Sequence, residues 1–174
     1  MTFAFGTSRG NANHIAIASV LKAAGIDPKS AKIVLYKASV DAATALMGGH
    51  VDVVATPIST FMPLMASGKL RLIAIAAPQR SREPFATVPT WREQGVDAVV
   101  PSYRMLLGAR GLSAAQLGFW NDVLRRISQS DAWKAELTKN AWEDVYMPAG
   151  ESVKYLNAQY AQYRAMLVEL GLAK

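Results

Sequence analysis

Short apolar runs alternate with helical runs through the first half of this chain, and this alternation constrains the fold more than any other feature. Apolar, largely β-branched runs at residues 2–6, 32–36 and 51–55 predict strands. The segments between them have helical length and spacing. A strand–helix–strand rhythm is typical of a parallel sheet with helical connections. The sequence therefore predicts an α/β fold with a parallel-type sheet flanked by helices.

The boundaries of the first helices are predicted from their capping residues. The first helix is expected at residues 14–24 and the second at 39–47, with Ser39 as its N-cap. The third is expected to begin at Pro57 and to be distorted by Pro63.

The remainder of the chain predicts two further strands, a crossover and three helices. The strands are expected at residues 70–76 and 102–107, on either side of a proline-punctuated crossover at 78–101. Helices are expected near residues 113–128, 130–140 and 149–170.

Composition narrows the class of protein. The 174 residues are 51% hydrophobic and 18% charged, which favours a packed core over disorder. Cysteine is absent, which excludes disulfides, iron–sulfur clusters and thiol nucleophiles. No uninterrupted apolar run reaches the roughly 18 to 20 residues of a membrane-spanning helix, and the first residues lack the features of a signal peptide. We therefore expect a soluble folded chain.

The positive charge of the chain does not indicate a nucleic-acid-binding protein. The formal net charge is +6, but the basic residues are dispersed among acidic ones, and the densest group, around Arg80 and Arg82, is short. Proteins that bind duplexes usually concentrate such charge on one face. A mild preference for anionic ligands is the remaining expectation.

Catalytic and metal-binding motifs are not recognised. His14 and His50 are far apart in sequence and have no metal-ligand spacing, so packing or capping is the expected role of His14. No serine lies in a Gly-x-Ser-x-Gly elbow, and no pair of acids has a recognisable glycosidase context. The sequence predicts no enzyme activity, metal site or cofactor.

Polar segments at residues 6–13 and 37–40 lead from a predicted strand into a predicted helix. Helix N-termini carry unpaired N–H groups and a positive dipole end, and in open α/β sheets ligands bind at the carboxyl edge. Thr56 and Pro57 follow the next strand and would bring a hydroxyl to the same edge. A carboxylate suits this arrangement, although ordinary capped helix starts explain the pattern equally well. Gly6 and Gly10 do not form a nucleotide-binding motif.

The predicted ligand-binding residues are those of the three strand-to-helix segments, expected to contribute backbone or hydroxyl hydrogen bonds. They are Thr7, Ser8, Arg9, Asn11, Ala12, Ala38, Ser39, Val40, Thr56 and Pro57.

A series of motifs in a fixed order extends over nearly the whole chain. It comprises Phe5-Gly6-Thr7-Ser8, Asn13-His14, Ala23-Ala24-Gly25-Ile26-Asp27, Tyr36-Lys37, Ala45-Leu46-Met47-Gly48-Gly49-His50-Val51-Asp52, Ser67-Gly68-Lys69-Leu70-Arg71, Ile73-Ala74-Ile75, Gln79-Arg80-Ser81, Val88-Pro89-Thr90, Gln94-Gly95 and Leu170-Gly171-Leu172. In these motifs the chain resembles the extracytoplasmic solute receptors of tripartite tricarboxylate transporters, the Bug-type receptors.

The resemblance implies a fold like that of type II periplasmic binding proteins, with two α/β lobes that close on a small carboxylate. It implies a periplasmic receptor that delivers its ligand to membrane permease subunits. Residues 1–102 would form most of the second lobe with the crossover, and residues 103–174 would return to the first. The first lobe would then be incomplete in an N-terminally truncated chain.

Two departures from the family pattern affect these expectations. The glycine-rich second turn of the family is Lys37-Ala38-Ser39-Val40 here, and Arg9 and Asn11 stand where small residues are common. Arg9 either contacts a second carboxylate or is simply solvated. An incomplete receptor would also expose apolar surface, from which we expect homo-oligomers.

Two other classes of protein stay open at this point. One is the effector-sensing domain of a regulator with the same general fold, although a helix-turn-helix is not found. The other is a small α/β enzyme, which would need a convergent set of titratable groups in a cleft.

Overall fold

A computed structural model describes residues 1–65 and 67–174. The chain divides into two compact units: unit 1 comprises Met1–Ser102 with Tyr163–Lys174, and unit 2 comprises Tyr103–Gln162. Unit 1 contains the sheet. The assignment of residues 1–102 and 103–174 to two receptor lobes stays a prediction.

The sheet of unit 1 has three described strands in parallel. They are β1 (Thr2–Gly6), β2 (Lys32–Tyr36) and β3 (Val53–Val54), in the order β2-β1-β3. The ends of β1 and β2 are aligned, because Thr2 pairs with Lys32 and Gly6 pairs with Tyr36. Since all three strands point the same way, their carboxyl ends lie at one edge, with the end of β1 in the middle. The parallel sheet predicted from the sequence is confirmed.

Helices cover both faces of this sheet. The helices of unit 1's first half are α1 (Ala12–Ala23), α2 (Ser39–Met47) and α3 (Ile58–Met65). Successive residues of a strand face opposite sides, and β1 accordingly contributes to two core clusters. Phe5 packs with Ile17 and Leu21 of α1, whereas Ala4 packs with Ala42 and Ala45 of α2.

Three further helices follow, α4 (Ala114–Gln129), α5 (Asp131–Asn140) and α6 (Ala149–Glu169). The starts of α4 and α5 follow the capping rules: the hydroxyl of Ser113 accepts from the Gln116 N–H at 3.2 Å, and that of Ser130 accepts from the Trp133 N–H at 3.2 Å. All three lie where the sequence predicts helices. In the described part of the chain, no helix is both long and apolar enough to cross a bilayer.

Two of the predicted strands are wrong. Residues 70–76 and 102–107 form no strand; within the first segment Ile75 makes a single bridge, to Thr90. Leu70 and Leu72 instead line an open groove of about 250 Å³ together with Phe61 and Phe85. Residues 70–76 are only partly buried, and Leu106 and Leu107 are largely exposed, so an apolar run alone does not make a strand.

The starts of the first three helices also differ from the prediction. Helix α1 begins at Ala12, two residues early, because Asn11 is its N-cap. In α2 the N-cap is Ala38 rather than Ser39, because the Asp41 carboxylate accepts the Ala38 N–H at 3.1 Å. Helix α3 begins at Ile58, one residue after Pro57, and contains Pro63 as expected.

Candidate functional site

Three strand-to-helix junctions meet at the carboxyl edge of the sheet. We call residues 6–13 the first junction, 37–40 the second and 55–58 the third. The Thr7 N–H donates to the Tyr36 carbonyl oxygen at 3.0 Å, which links the first junction to the end of β2. The Ala55 N–H donates to the Ala4 carbonyl oxygen at 3.0 Å, which holds the third junction against β1. The residues predicted to bind a ligand are therefore neighbours along one edge.

The first and second junctions are in direct backbone contact. A β-carbon placed on Gly6 would lie 2.2 Å from the Ser39 nitrogen and 2.3 Å from the Ala38 carbonyl carbon. Real β-carbons do not approach backbone atoms this closely. Glycine at the end of β1 is therefore what allows the N-terminus of α2 to lie beside the first junction.

The side chain of Asn11 organises the first junction. Its Oδ1 accepts the His14 N–H at 3.0 Å and caps α1, while its Nδ2 donates to the Gly6 carbonyl and to the Thr7 hydroxyl, both at 2.7 Å. Thr7 has a φ of 80°, a conformation that β-branched residues rarely adopt. Backbone strain of this kind concentrates at ligand sites, and here the Asn11 amide holds the strained residue in place.

Several main-chain donors at the helix N-termini remain unpaired. The N–H groups of Gly10, His14 and Ala38 are used by the side chains of His14, Asn11 and Asp41, respectively. Among the described residues, no acceptor contacts five N–H groups at the starts of α1 and α2, those of Asn11, Ala12, Asn13, Ser39 and Val40. Unpaired amides at a helix N-terminus are an anion-binding arrangement.

The charges around the edge are also suited to an anion. Each helix N-terminus contributes the equivalent of about half a positive charge. Arg9 and Lys37 are exposed beside the first and second junctions, and neither forms an ion pair with any described residue. Asp41, at the start of α2, is engaged with the Ala38 N–H. A negative ligand would therefore find a positive environment.

Thr56 adds a hydroxyl at the third junction. Its Oγ1 is buried and has no hydrogen-bond partner within the described chain. An unsatisfied buried hydroxyl costs about 1 to 3 kcal/mol. A ligand oxygen is one partner that would satisfy it.

His14 is a packed residue behind the first junction. It is 5% exposed, its ring stacks on Phe5 with centroids 4.9 Å apart, and its Nδ1 accepts the Gly10 N–H at 3.0 Å. Burial, and secondarily the positive charge of Arg9, lowers the pKa of His14 below its ordinary value of 6.5. His50 is exposed and precedes β3, at the opposite edge of the sheet. The structure agrees with a packing and capping role for His14.

Other perturbed groups lie outside the junctions. The pKa of Glu93 is lowered by a hydrogen bond from the Thr90 N–H and then by Arg80, and burial raises the pKa of Tyr155. In the described residues, no three His, Asp or Glu side chains gather as a metal site would require. The chemistry that the edge supports is hydrogen bonding to an anion.

The structure adds three residues to those predicted from the sequence. Asn13 contributes an unpaired amide, Gly6 provides the close contact, and Lys37 brings a charge. Gly6 is recognisable in the sequence as a glycine that ends a predicted strand, whereas the role of Asn13 follows only from the position of the cap at Asn11. Of the predicted residues, Ser8, Arg9 and Val40 are exposed, and Pro57 is half-buried beside the third junction.

Comparison with known proteins identifies the family. The sequence profile of the tripartite tricarboxylate transporter family receptor, TctC, matches residues 3–172. The chain belongs to this receptor family. The resemblance inferred from the ordered motifs is thereby confirmed.

A curated relative of this TctC-family chain is the UPF0065 protein in gbd 5'region of Cupriavidus necator. It is 30% identical over 140 residues, a stretch that covers 80% of this chain and 42% of the relative.

Two solved structures share the fold. A TctC solute binding protein from Polaromonas, without ligand, has a TM-score of 0.75 at 20% identity, covering 97% of this chain and 57% of that protein. Rpa4515 of R. palustris, with adipate, has a TM-score of 0.74 at 21% identity, covering 98% and 56%, respectively. The α/β fold of the periplasmic-binding-protein type is confirmed, and the TctC-family chain spans just over half the length of these relatives.

Proposed function

We propose that this TctC-family chain binds a small organic acid at the three junctions and is a ligand-binding part of a solute receptor. The observation that carries the proposal is the pairing of unpaired amides at the starts of α1 and α2, brought side by side by the contact between Gly6 and Ser39. Two adjacent sets of N–H donors match the two oxygens of a carboxylate better than any neutral group.

The main-chain donors would bind one carboxylate. The amides of Asn11 and Ala12 approach it from α1, and those of Ser39 and Val40 approach it from α2, with Ala38 shaping the backbone between them. Such contacts need ordered donors rather than shifted titratable groups, so the charge of the ligand is recognised without a buried basic residue.

Side chains at the edge would set the preference among carboxylates. The hydroxyls of Thr7, Ser8 and Thr56 would contact further oxygens, with Pro57 fixing the backbone after Thr56. Arg9 is exposed and free of ion pairs within the described chain, which suits a second carboxylate. The adipate in the Rpa4515 structure supports a dicarboxylate as the class to test first.

The proposed receptor acts in the periplasm and delivers its ligand to the membrane permease subunits of a tripartite transporter. Membership of the receptor family supports this role.

Isothermal titration calorimetry with adipate tests the proposal. Monocarboxylates, tricarboxylates and the neutral diamide of adipate complete the panel. We expect heat from one or more of the acids and none from the diamide. Absence of binding to every acid would overturn carboxylate binding by this chain.

A bulky substitution at the second junction tests whether the ligand binds at this site. Ser39→Trp should weaken binding by at least about tenfold, because the indole covers the amides of α2. Ser30→Trp is the matched control, since Ser30 is an exposed serine before β2, at the opposite edge of the sheet. Equal losses in both variants would place the ligand elsewhere.

A further inference from the structure

The ring of His14 is fixed from two sides. Phe5 at the centre of the sheet is fully buried, and the imidazole stacks on it at an interplanar angle of 21° with centroids 4.9 Å apart. With 5% exposure, the ring cannot turn towards solvent without leaving the core.

This fixed ring holds the backbone of Gly10. The Gly10 N–H donates to His14 Nδ1 at 3.0 Å, and Gly10 has a φ of 81°, in the left-handed region that favours glycine. On the other side, a β-carbon on Gly10 would lie 3.0 Å from Leu167 Cδ2. The residue is therefore held between an imidazole acceptor and an apolar side chain.

Two hydrogen bonds connect His14 of α1 with the residues that precede the helix. His14 Nδ1 accepts from Gly10, and the His14 N–H donates to Asn11 Oδ1 at 3.0 Å. Because an amide can only donate, Nδ1 must be unprotonated, and the neutral ring carries its proton on Nε2. One residue of α1 thus fixes both residues that precede the unpaired amides of Ala12 and Asn13.

We propose that His14 is a positioning residue for ligand binding: it accepts the Gly10 N–H and so keeps the amides of residues 11–13 aligned for the ligand without touching it. This inference rests on the proposed function. In this view, the buried side chain of His14 keeps the backbone of the exposed first junction ordered before the ligand binds. Poorly ordered N–H donors would lower the affinity for the ligand, because they must lose conformational entropy on binding.

A matched pair of variants tests the acceptor itself. His14→Asn retains an acceptor oxygen on the atom that carries Nδ1 in histidine, and His14→Leu has the same shape without an acceptor. Both remove the ring stack equally. Hydrogen exchange of the Gly10 amide, measured by NMR without ligand, should be at least about tenfold faster in His14→Leu than in His14→Asn. His14→Leu should also bind adipate about tenfold more weakly than His14→Asn.

The outcomes separate the two proposals. Equal Gly10 exchange in the two variants would overturn the role of His14. Different exchange with equal adipate affinity would also overturn it, while leaving carboxylate binding intact. Failure of the wild-type chain to bind adipate and every other acid of the panel would instead refute the proposed function, and Gly10 exchange would still decide whether His14 fixes the junction.

A measurement on the wild-type chain covers the case in which both variants fail to fold. Protonation of Nδ1 removes the acceptor, so protection of the Gly10 amide should fall at the pH where the His14 ring titrates by NMR. Arg9 is the charged group that faces the ring, whereas Phe5 and Leu167, packed nearby, are uncharged. Arg9→Gln should therefore shift both transitions upwards together, and separate transitions would contradict the proposal.

Discussion

Gly6 and Ser39 are packed backbone against backbone, so closely that the space between them excludes even a methyl group. Gly6 ends the central strand and Ser39 begins α2. The contact sets how far apart the first and second junctions lie, and hence whether their donors face one ligand.

Gly6→Ala should lower the free energy of unfolding by about 2 kcal/mol or more, because the methyl group must displace the Ala38–Ser39 backbone. Urea unfolding followed by circular dichroism measures the change. Gly118→Ala is the control: Gly118 lies in α4 with no atom near an added β-carbon, so alanine should stabilise by about 0.5 to 1 kcal/mol. Unchanged stability of Gly6→Ala would show that the two junctions separate easily.

Asn11 combines a capping role with a bridging role, and two substitutions distinguish them. Asn11→Ala removes all three hydrogen bonds and should cost about 1 to 2 kcal/mol of stability. Asn11→Asp keeps the capping oxygen but sets a carboxylate oxygen against the Gly6 carbonyl in place of the donor, so it should also lower stability, and its charge should weaken adipate binding by about tenfold or more. Unfolding and calorimetry measure the two effects, and adipate binding by Asn11→Asp at wild-type strength would argue against a carboxylate at this junction.

Thr56→Val replaces a buried, unpaired hydroxyl with a methyl group of similar size. In the ligand-free chain, stability should stay the same or rise by up to about 1 to 3 kcal/mol, while adipate affinity falls. Thr90→Val is the contrast, because the Thr90 hydroxyl is buried but hydrogen-bonded to Glu93 at 3.1 Å, so its loss should destabilise. A destabilised Thr56→Val would mean that the hydroxyl already has a partner.

Titration of His14 should make the free energy of unfolding depend on pH. Its folded-state pKa lies below the ordinary 6.5, so the unfolded chain takes up the proton first as the pH falls. The stability contributed by the neutral ring is complete above 6.5 and declines as the pH falls from there to the lowered folded value. Urea unfolding at about pH 8 and about pH 5 should therefore show a steeper loss in wild type than in His14→Asn. Parallel losses in the two proteins would contradict this linkage.

Exposed apolar side chains in unit 2 predict self-association. Leu106 and Leu107 are 76% and 83% exposed, and Phe119 and Trp120 are also exposed. Light scattering over a concentration series should show a rising mean mass, and the double variant Leu106→Gln/Leu107→Gln should reduce it. A strictly monomeric chain at high concentration would contradict this expectation.

The fold could be predicted where local patterns agree with tertiary packing. The strands predicted at residues 2–6 and 32–36 are confirmed, because each apolar run there is followed by a polar segment and a helix. The strand expected at residues 70–76 is wrong because an apolar run does not by itself supply a neighbouring strand to pair with. Leu70 and Leu72 instead lie half-buried in the groove with Phe61 and Phe85.

The candidate site could be predicted as a set of segments but not as a set of contacts. The sequence predicted the first helix from His14, and the hydrogen bonds of Asn11 with the His14 N–H, the Gly6 carbonyl and the Thr7 hydroxyl place the cap at Asn11. In the second junction, Asp41 fixed the cap from inside the helix. The hydrogen bond from Gly10 to His14 and the stacking of His14 on Phe5 depend on side-chain placement, which the sequence did not predict.

Asn11 supports the backbone of the first junction through three hydrogen bonds. Other residues at the carboxyl edge of the sheet have no such supporting role. Arg9 and Val40 are exposed, and no hydrogen bond ties either side chain to the described chain. An effort to redesign ligand preference should therefore randomise Arg9 and Val40 first, since libraries at these positions leave the architecture beneath them undisturbed.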